Sequence, residues 1–250
     1  MAGTLAGKVA LVTGAGRNIG RAIALHLARD GAAVAVNGRA DRAAVDAVVG
    51  EIVALGGRAV ACLADVSDPA AVARMTEMVV AELGGIDIAV SNAGLRRQTP
   101  FLDMTLGEWR EILAVSLDGA FILAQAVVPH MVRRGGGAIV GLSGISTHVG
   151  TPNRAHVAAA KAGLEGLMRA LGVELAALGI RCNCVAPGTI DTVRGSSAGA
   201  RPGTLSVAGV PLGRQGTVDE IAAVVRMLVG PEGGYITGQT IHVNGGVFLT

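Results

Sequence analysis

KVALVTGAGRNIG, residues 8–20, decides the fold. Its first half, KVALVT (8–13), is a short apolar run of the kind that forms a strand buried on both faces. Its second half turns through a glycine-rich segment into residues 18–30, where Ile19, Ile23 and Leu27 recur at helical spacing. In such a strand–turn–helix unit, Gly14 permits the tight turn and Gly20 lets the helix pack close to the strand. The helix N-terminus then offers backbone N–H groups to a pyrophosphate.

The same alternation runs outward from this unit. Strands are expected at 32–36, 58–63, 86–91, 137–142, 180–186 and 239–243, with helices near 41–55, 69–83, 154–178 and 217–229 and a long helix or helix pair at about 105–133. Strands separated by helices of this length are parallel and joined by crossovers. The expected architecture is α/β: a Rossmann-like, doubly wound, parallel seven-stranded sheet with helices on both faces and a ligand crevice at the carboxyl ends of the strands. No linker or composition break divides residues 1–250, so one domain is expected. A Gly/Ser/Pro-rich loop at about 193–213 is expected to cover the substrate, and its Arg194 and Arg201 point weakly to an acidic or hydrogen-bonding ligand.

Composition agrees with this class. Hydrophobic residues make up 51% of the chain and aromatics 2%, so the core is built from Ala, Val, Leu and Ile, which suit parallel strands. The formal net charge is +2 and the charges are interspersed, which argues against a nucleic-acid partner. No uninterrupted apolar run has the ~18 residues needed to span a bilayer, and the N-terminus lacks the pattern of a signal peptide. A soluble cytoplasmic protein is the expectation. Cys62, Cys182 and Cys184 are an odd count that argues against a disulfide framework. Cys182 and Cys184 face the same side of a strand and read as small core residues rather than a metal or redox pair; no metal site is expected.

Several segments resemble motifs of the short-chain dehydrogenase/reductase family, and the resemblance covers essentially the whole chain. TGAGRNIG (13–20) is similar to its cofactor turn: Thr13, Gly14, Ile19 and Gly20 match, and Asn18 stands where the middle glycine usually lies. Asn tolerates a left-handed backbone better than most residues, so the turn can persist. CLADVSD (62–68) resembles the segment whose Asp65 and Val66 flank the adenine. SNAG (91–94) resembles the family's Asn-Asn-Ala-Gly and supplies Asn92, Ala93 and Gly94. APGTIDT (186–192) resembles the segment in which Pro187, Gly188 and Ile190 meet the nicotinamide and Thr192 a phosphate. YITGQTIHVNGG (235–246) resembles the last strand and its glycine turn.

The resemblance implies a nicotinamide cofactor. NAD-dependent relatives usually carry an acid at the end of the second strand. That position falls near Asn37 here, with Arg39 following and Arg17 in the glycine-rich turn, so NADP(H) is expected over NAD(H).

The resemblance also places four catalytic roles. The lysine is Lys161. The asparagine, serine and tyrosine positions fall on Ser116, Gly144 and Val157. Val157 has no proton to give. General acid–base help is typically worth ~10²–10⁴ in rate. His156, adjacent to Val157, is the expected replacement acid because its unperturbed pKa lies near neutrality, although adjacent helical residues point about 100° apart. Ser143 is a further catalytic candidate beside Gly144. Ser146, Thr147 and His148 border the same region, and Arg96 and Arg97 follow SNAG in position to face an anionic substrate.

The leading reading is therefore an NADP(H)-dependent oxidoreductase with an atypical site, acting on a small-molecule carbonyl, imine or conjugated acceptor. A nucleotide-binding protein without redox activity is the second reading, and lyase or isomerase chemistry in the same pocket the third. The resemblance implies a homo-oligomer, a tetramer built through the helices near 105–133 and 154–178 and the last strand.

Overall fold

The computed structural model describes residues 3–193 and 207–249. Arg194 and Arg201 lie outside the described residues. The strands are β1 (Val9–Val12), β2 (Ala33–Gly38), β3 (Ala59–Leu63), β4 (Ile88–Ser91), β5 (Gly137–Leu142), β6 (Ile180–Pro187) and β7 (Thr240–Val243). They form one seven-stranded sheet in the order β3-β2-β1-β4-β5-β6-β7, with every adjacent pair parallel. The order reverses between β1 and β4, and the carboxyl ends of those strands open the crevice expected of a doubly wound sheet.

Helices α1 (Asn18–Arg29), α2 (Arg42–Ala54), α3 (Pro69–Leu83), α4 (Leu106–Leu113), α5 (Gly119–Arg133), α6 (Ser146–Val149), α7 (Ala155–Glu174) and α8 (Val218–Val229) complete the fold. One core packs α1, α2 and α8 on one face through Ile23, Val48 and Ile221. The other packs α3, α5 and α7 through Met75, Leu123 and Leu164. Both cores are aliphatic, as the composition required. Local signals set several helix starts. Asp68 caps α3 ahead of Pro69, and Thr217 and Glu220 form a capping box on α8. Cys62, Cys182 and Cys184 are buried core thiols, and burial pushes each up to about 12.

The helical stretch at 105–133 is a pair of helices, one of the two forms expected. It is continuous but passes from α4 to α5 through a π-helical turn, Ala114–Asp118, that carries Ser116. Wide turns of this kind are frequent at functional sites. The whole run Leu106–Arg133 is long and apolar enough, by length and composition, to cross a membrane. The sequence did not register it because charged residues interrupt the apolar ones. Here the run packs on the sheet, with α5 against α3 and β4, and α4 against α7.

Asn37, at the carboxyl end of β2, is buried and faces inward. Its amide donates to the carbonyls of Gly38, Cys62 and Ala64 at 3.2–3.4 Å, and its Oδ1 accepts from Gly14 N–H at 3.3 Å. Its own carbonyl accepts from Ala15 N–H at 2.7 Å. Asn37 therefore ties the glycine-rich turn to two neighbouring strands. Asn37→Ala is expected to lower the unfolding free energy by at least about 2 kcal/mol, because each buried polar group left unpaired costs about 1–3 kcal/mol. Urea unfolding checks this, and an unchanged midpoint would contradict the assignment.

Candidate active site

The cofactor turn is held from three sides. Thr13 Oγ1 donates to Val90 O at 3.1 Å and accepts from the N–H groups of Asn92 and Ala93 at 3.0 and 3.1 Å. Asn92 Nδ2 donates to the carbonyls of Thr13 and Gly14, each at 3.0 Å. A Cβ at Gly20 would stand 2.3 Å from Gly14 O, so the start of α1 can approach the turn only as glycine. Asn18 has φ +49°, the left-handed backbone the sequence anticipated for it. Its side chain also clasps the segment after β6: Nδ2 donates to Val193 O at 2.8 Å and Oδ1 accepts from Val193 N–H at 3.0 Å. Arg17 precedes α1 on extended backbone and is exposed, as is Arg39.

Asp65 lies after β3. Two bonds from Ser67, hydroxyl and N–H, hold its carboxyl below the usual range, and the Arg39 charge adds to this. Val66 is buried against Gly119, where an added Cβ would meet Val66 Cγ2 at 2.8 Å.

These segments border a cleft of about 140 Å3 at the carboxyl ends of the strands. Ile19, Asn92, Gly94, Ser143, Gly144, Arg154, Val157, Lys161, Pro187, Gly188, Ile190 and Thr192 all line it. Lys161 Nζ donates to Leu142 O. Burial lowers its pKa to about 8, and the positive charge of Arg96 contributes. Gly94 faces both Lys161 and Ser116. A Cβ at Gly94 would lie 3.3 Å from Ser116 Oγ and 3.5 Å from Lys161 Nζ. Ser116 Oγ is buried and has no hydrogen-bond partner among the described residues. A cradle that a single Cβ would begin to fill, floored by a lysine and an unpaired hydroxyl, fits the ribose-and-nicotinamide end of a dinucleotide. Asn92, Gly94, Lys161 and the Pro187–Thr192 backbone are the groups that would hold it.

The four positions of the implied catalytic set divide. Gly144, Val157 and Lys161 line the cleft together, and Ser116 stands behind Gly94. Val157 is buried and also packs with Ile112 and Ala160. The replacement candidates divide as well. His156 is not brought to the cleft. It is fully buried on another face of α7, its Nε2 lies 3.1 Å from Glu108 Oε1, and its Nδ1 accepts from Val157 N–H at 2.9 Å. The physical reason is the one noted for adjacent helical residues: turning α7 enough to present His156 would withdraw Val157 and Lys161. Glu108 is held below the usual carboxyl range, first by the Thr99 hydroxyl at 2.6 Å and then by His156.

Ser143 lines the cleft, and its hydroxyl donates to Glu165 Oε1. The same oxygen lies 3.0 Å from His148 Nε2 and 3.4 Å from Thr147 Oγ1. His148 in turn packs edge-on against His242, with ring centroids 4.5 Å apart, and beside Phe248. Ser146 also borders the cleft. Arg97 is committed to Glu111 by two bonds, at 2.6 and 3.0 Å, whereas Arg96 lines the cleft. Two participants went unread in the sequence: Glu165, which Ser143 reaches, and Arg154, a buried arginine preceding α7. The available signal for Arg154 was its helical spacing from Val157 and Lys161.

The chain belongs to the short-chain dehydrogenase/reductase family of NAD(P)-dependent oxidoreductases. The family profile described as enoyl-(acyl carrier protein) reductase matches residues 14–248. A 3-oxoacyl-(acyl-carrier-protein) reductase of Staphylococcus aureus is 41% identical over 242 residues, covering 97% of this chain and 98% of the relative. Among solved structures, a short-chain dehydrogenase from Burkholderia cenocepacia in complex with NADP is 38% identical, with a TM-score of 0.89 over 98% of this chain and 99% of that one. A 7α-hydroxysteroid dehydrogenase complexed with NADH is 32% identical, with a TM-score of 0.91 over 97% and 94%.

Gly94 is exposed, its backbone lies outside the left-handed region, and the nearest neighbour of an added Cβ is the Ser116 hydroxyl of the cradle at 3.3 Å, so the strain of a side chain falls on the cradle. Gly94→Val is expected to leave the circular-dichroism spectrum and thermal midpoint nearly unchanged while weakening NADPH binding about tenfold or more, or about 1.4 kcal/mol. Fluorescence titration reads the affinity, and wild-type affinity in the variant would remove Gly94 from the cofactor floor.

Proposed function

We propose that this chain is an NADP(H)-dependent reductase with an atypical active site. It would act on a small carbonyl, imine or conjugated acceptor that needs little help from a protein acid. The observation that carries the reading is the cleft wall itself: Lys161 stands at the floor, while Val157 and Gly144 occupy the positions that the family resemblance gives to a tyrosine and a serine.

When bound, the nicotinamide supplies or accepts the hydride. The chain's own residues then have three tasks. Asn92, Gly94 and Lys161 hold the ribose end, and a lysine with a pKa near 8 is still largely charged at neutral pH. Asp65 and Val66 flank the adenine. Ser143 is the hydroxyl that remains beside the vacated serine position; a proton it gives to the acceptor can be replaced from the half-buried His148 through Glu165, which contacts both. His156 acts as a positioning residue that fixes α7 against α4 through Glu108.

The preference for NADP(H) is supported by the absence of an acid at the carboxyl end of β2, where Asn37 faces inward, and by Arg17 and Arg39 on the adjacent surface. The bound NADP of the Burkholderia relative agrees with it; the NADH of the steroid dehydrogenase marks the alternative within the same fold. The name of the Staphylococcus relative points to ketone reduction. Because no tyrosine or serine hydroxyl stands at the two family positions here, imines and conjugated acceptors fit this cleft better than simple ketones. The absence of both hydroxyls also favours, as second reading, a nucleotide-binding protein without redox turnover. The working form proposed is a soluble cytoplasmic single-domain subunit of a homo-oligomer, a tetramer, supported by exposed apolar side chains on the two long helices, Phe121 on α5 and Val173 on α7.

The test has two parts. NADPH should bind about ten- to a hundred-fold more tightly than NADH, the worth of one charge-assisted phosphate contact, and Arg39→Ala should narrow the gap. With NADPH saturating, a cyclic imine and a quinone should be reduced faster than a simple ketone or a 3-oxoacyl thioester. Ketone turnover at ordinary enzymatic rates, ~1–10³ per second, would overturn the atypical-site reading, and NADPH binding with no acceptor reduced would favour the non-redox one.

A further inference from the structure

The cleft has a charge pattern that the cofactor reading does not use. Its described lining residues include three cations, Arg96, Arg154 and Lys161, and no aspartate or glutamate. Three nearby glutamates are bonded to other residues. Glu108 is bonded to Thr99 and His156, Glu111 to Arg97, and Glu165 to Ser143, Thr147 and His148. None of the three lines the cleft.

Arg154 is the unusual member. It is 5% exposed, immediately precedes the twenty-residue helix α7, and lines the cleft with Val157 and Lys161. Val157 and Lys161 lie on one face of α7, and Arg154, in non-helical backbone just before the helix, extends that stripe along the cleft. Lys161 serves the cofactor end of that stripe, and Val157 separates it from Arg154. The N-terminal end of a long helix adds positive potential at the arginine. Arginine is the residue suited to a planar, bidentate partner when water is excluded. A buried arginine facing a cavity without carboxylates makes that cavity a poor host for a cation and a good one for an anion.

We propose that the acceptor is a small carboxylate, bound through its carboxyl group by Arg154, with Arg96 adding charge from the more exposed side of the cleft. This rests on the reading of the cleft as a hydride-transfer site. It assigns the substrate's charged end to the Arg154 side of Val157 and leaves the Lys161 side to the cofactor.

Calorimetry on the full chain saturated with NADP+ decides it, with 2-oxobutanoate and its uncharged methyl ester as probes. The acid should bind at least about tenfold more tightly than the ester, the lower range for a charge-assisted contact. Arg154→Gln should abolish that preference, Arg154→Lys should keep part of it, and Arg96→Gln should reduce it less. Affinity for NADP+ should be the same in all three variants. Arg96→Gln and Arg154→Lys keep the test alive should Arg154→Gln fold poorly. Equal binding of acid and ester in the wild type overturns the inference, as does a loss of NADP+ affinity in Arg154→Gln, which would make Arg154 a cofactor residue. If NADP+ does not bind the wild type, the oxidoreductase reading fails by itself. The acid–ester comparison without cofactor then still decides whether Arg154 selects a carboxylate.

Discussion

The Thr13 hydroxyl is the contact on which the site depends. It donates across to β4 through Val90 O and accepts two N–H groups from the chain leaving β4. One buried oxygen thus locks together the two strands whose divergence opens the crevice. Asn92 and Asn37 extend the lock, so that each backbone group around the glycine-rich turn that they reach is already paired within the protein. A turn held in this way keeps its shape before a cofactor arrives, and its N–H groups at the start of α1 stay oriented toward an anion.

Helix α7 carries the other half of the site, and its stripe is graded in chemistry. Lys161 lies at the cofactor end, with its charge opposed by burial and by Arg96. Val157 is apolar, and Arg154 is charged again where the helix begins. On the proposed reading, this is how the cleft keeps a cofactor-binding lysine without a tyrosine at Val157. The lysine is secured by Leu142 O and by the position of β5 and does not depend on a tyrosine neighbour. The same helix turns His156 toward α4 and Glu165 toward Ser143, so adjacent faces of α7 serve packing, proton contacts and the cleft separately.

Much of this was legible in the sequence because it rests on periodicity and on turn chemistry. KVALVTGAGRNIG specified strand, turn and helix through apolar spacing and two glycines, and Asn18 has the positive φ expected of it. The helix 105–133 was legible as a unit, but its π-helical turn was not, since apolar spacing continues through it. Asn37 was read as the ribose position, whereas its side chain satisfies buried carbonyls; only the pairing of β2 with β3 creates that demand. His156 was chosen for proximity in sequence and is excluded from the cleft by helical geometry. Arg154 and Glu165 were missed because their significance depends on which face of α7 meets the sheet, a property of tertiary packing.

The most direct test of a hydride-transfer cleft without its usual hydroxyl donors is to restore them. An added Cβ at Gly144 meets no atom closer than Ser146 Oγ at 4.0 Å, so the position has room for a side chain to start, and Val157 borders the cleft directly. The measurement is NADPH-dependent reduction of a simple aliphatic ketone by Val157→Tyr combined with Gly144→Ser. The account predicts a rise in kcat of ~10²-fold or more over the unmodified chain, the usual worth of general acid catalysis. Turnover that stays unchanged while NADPH still binds would contradict it.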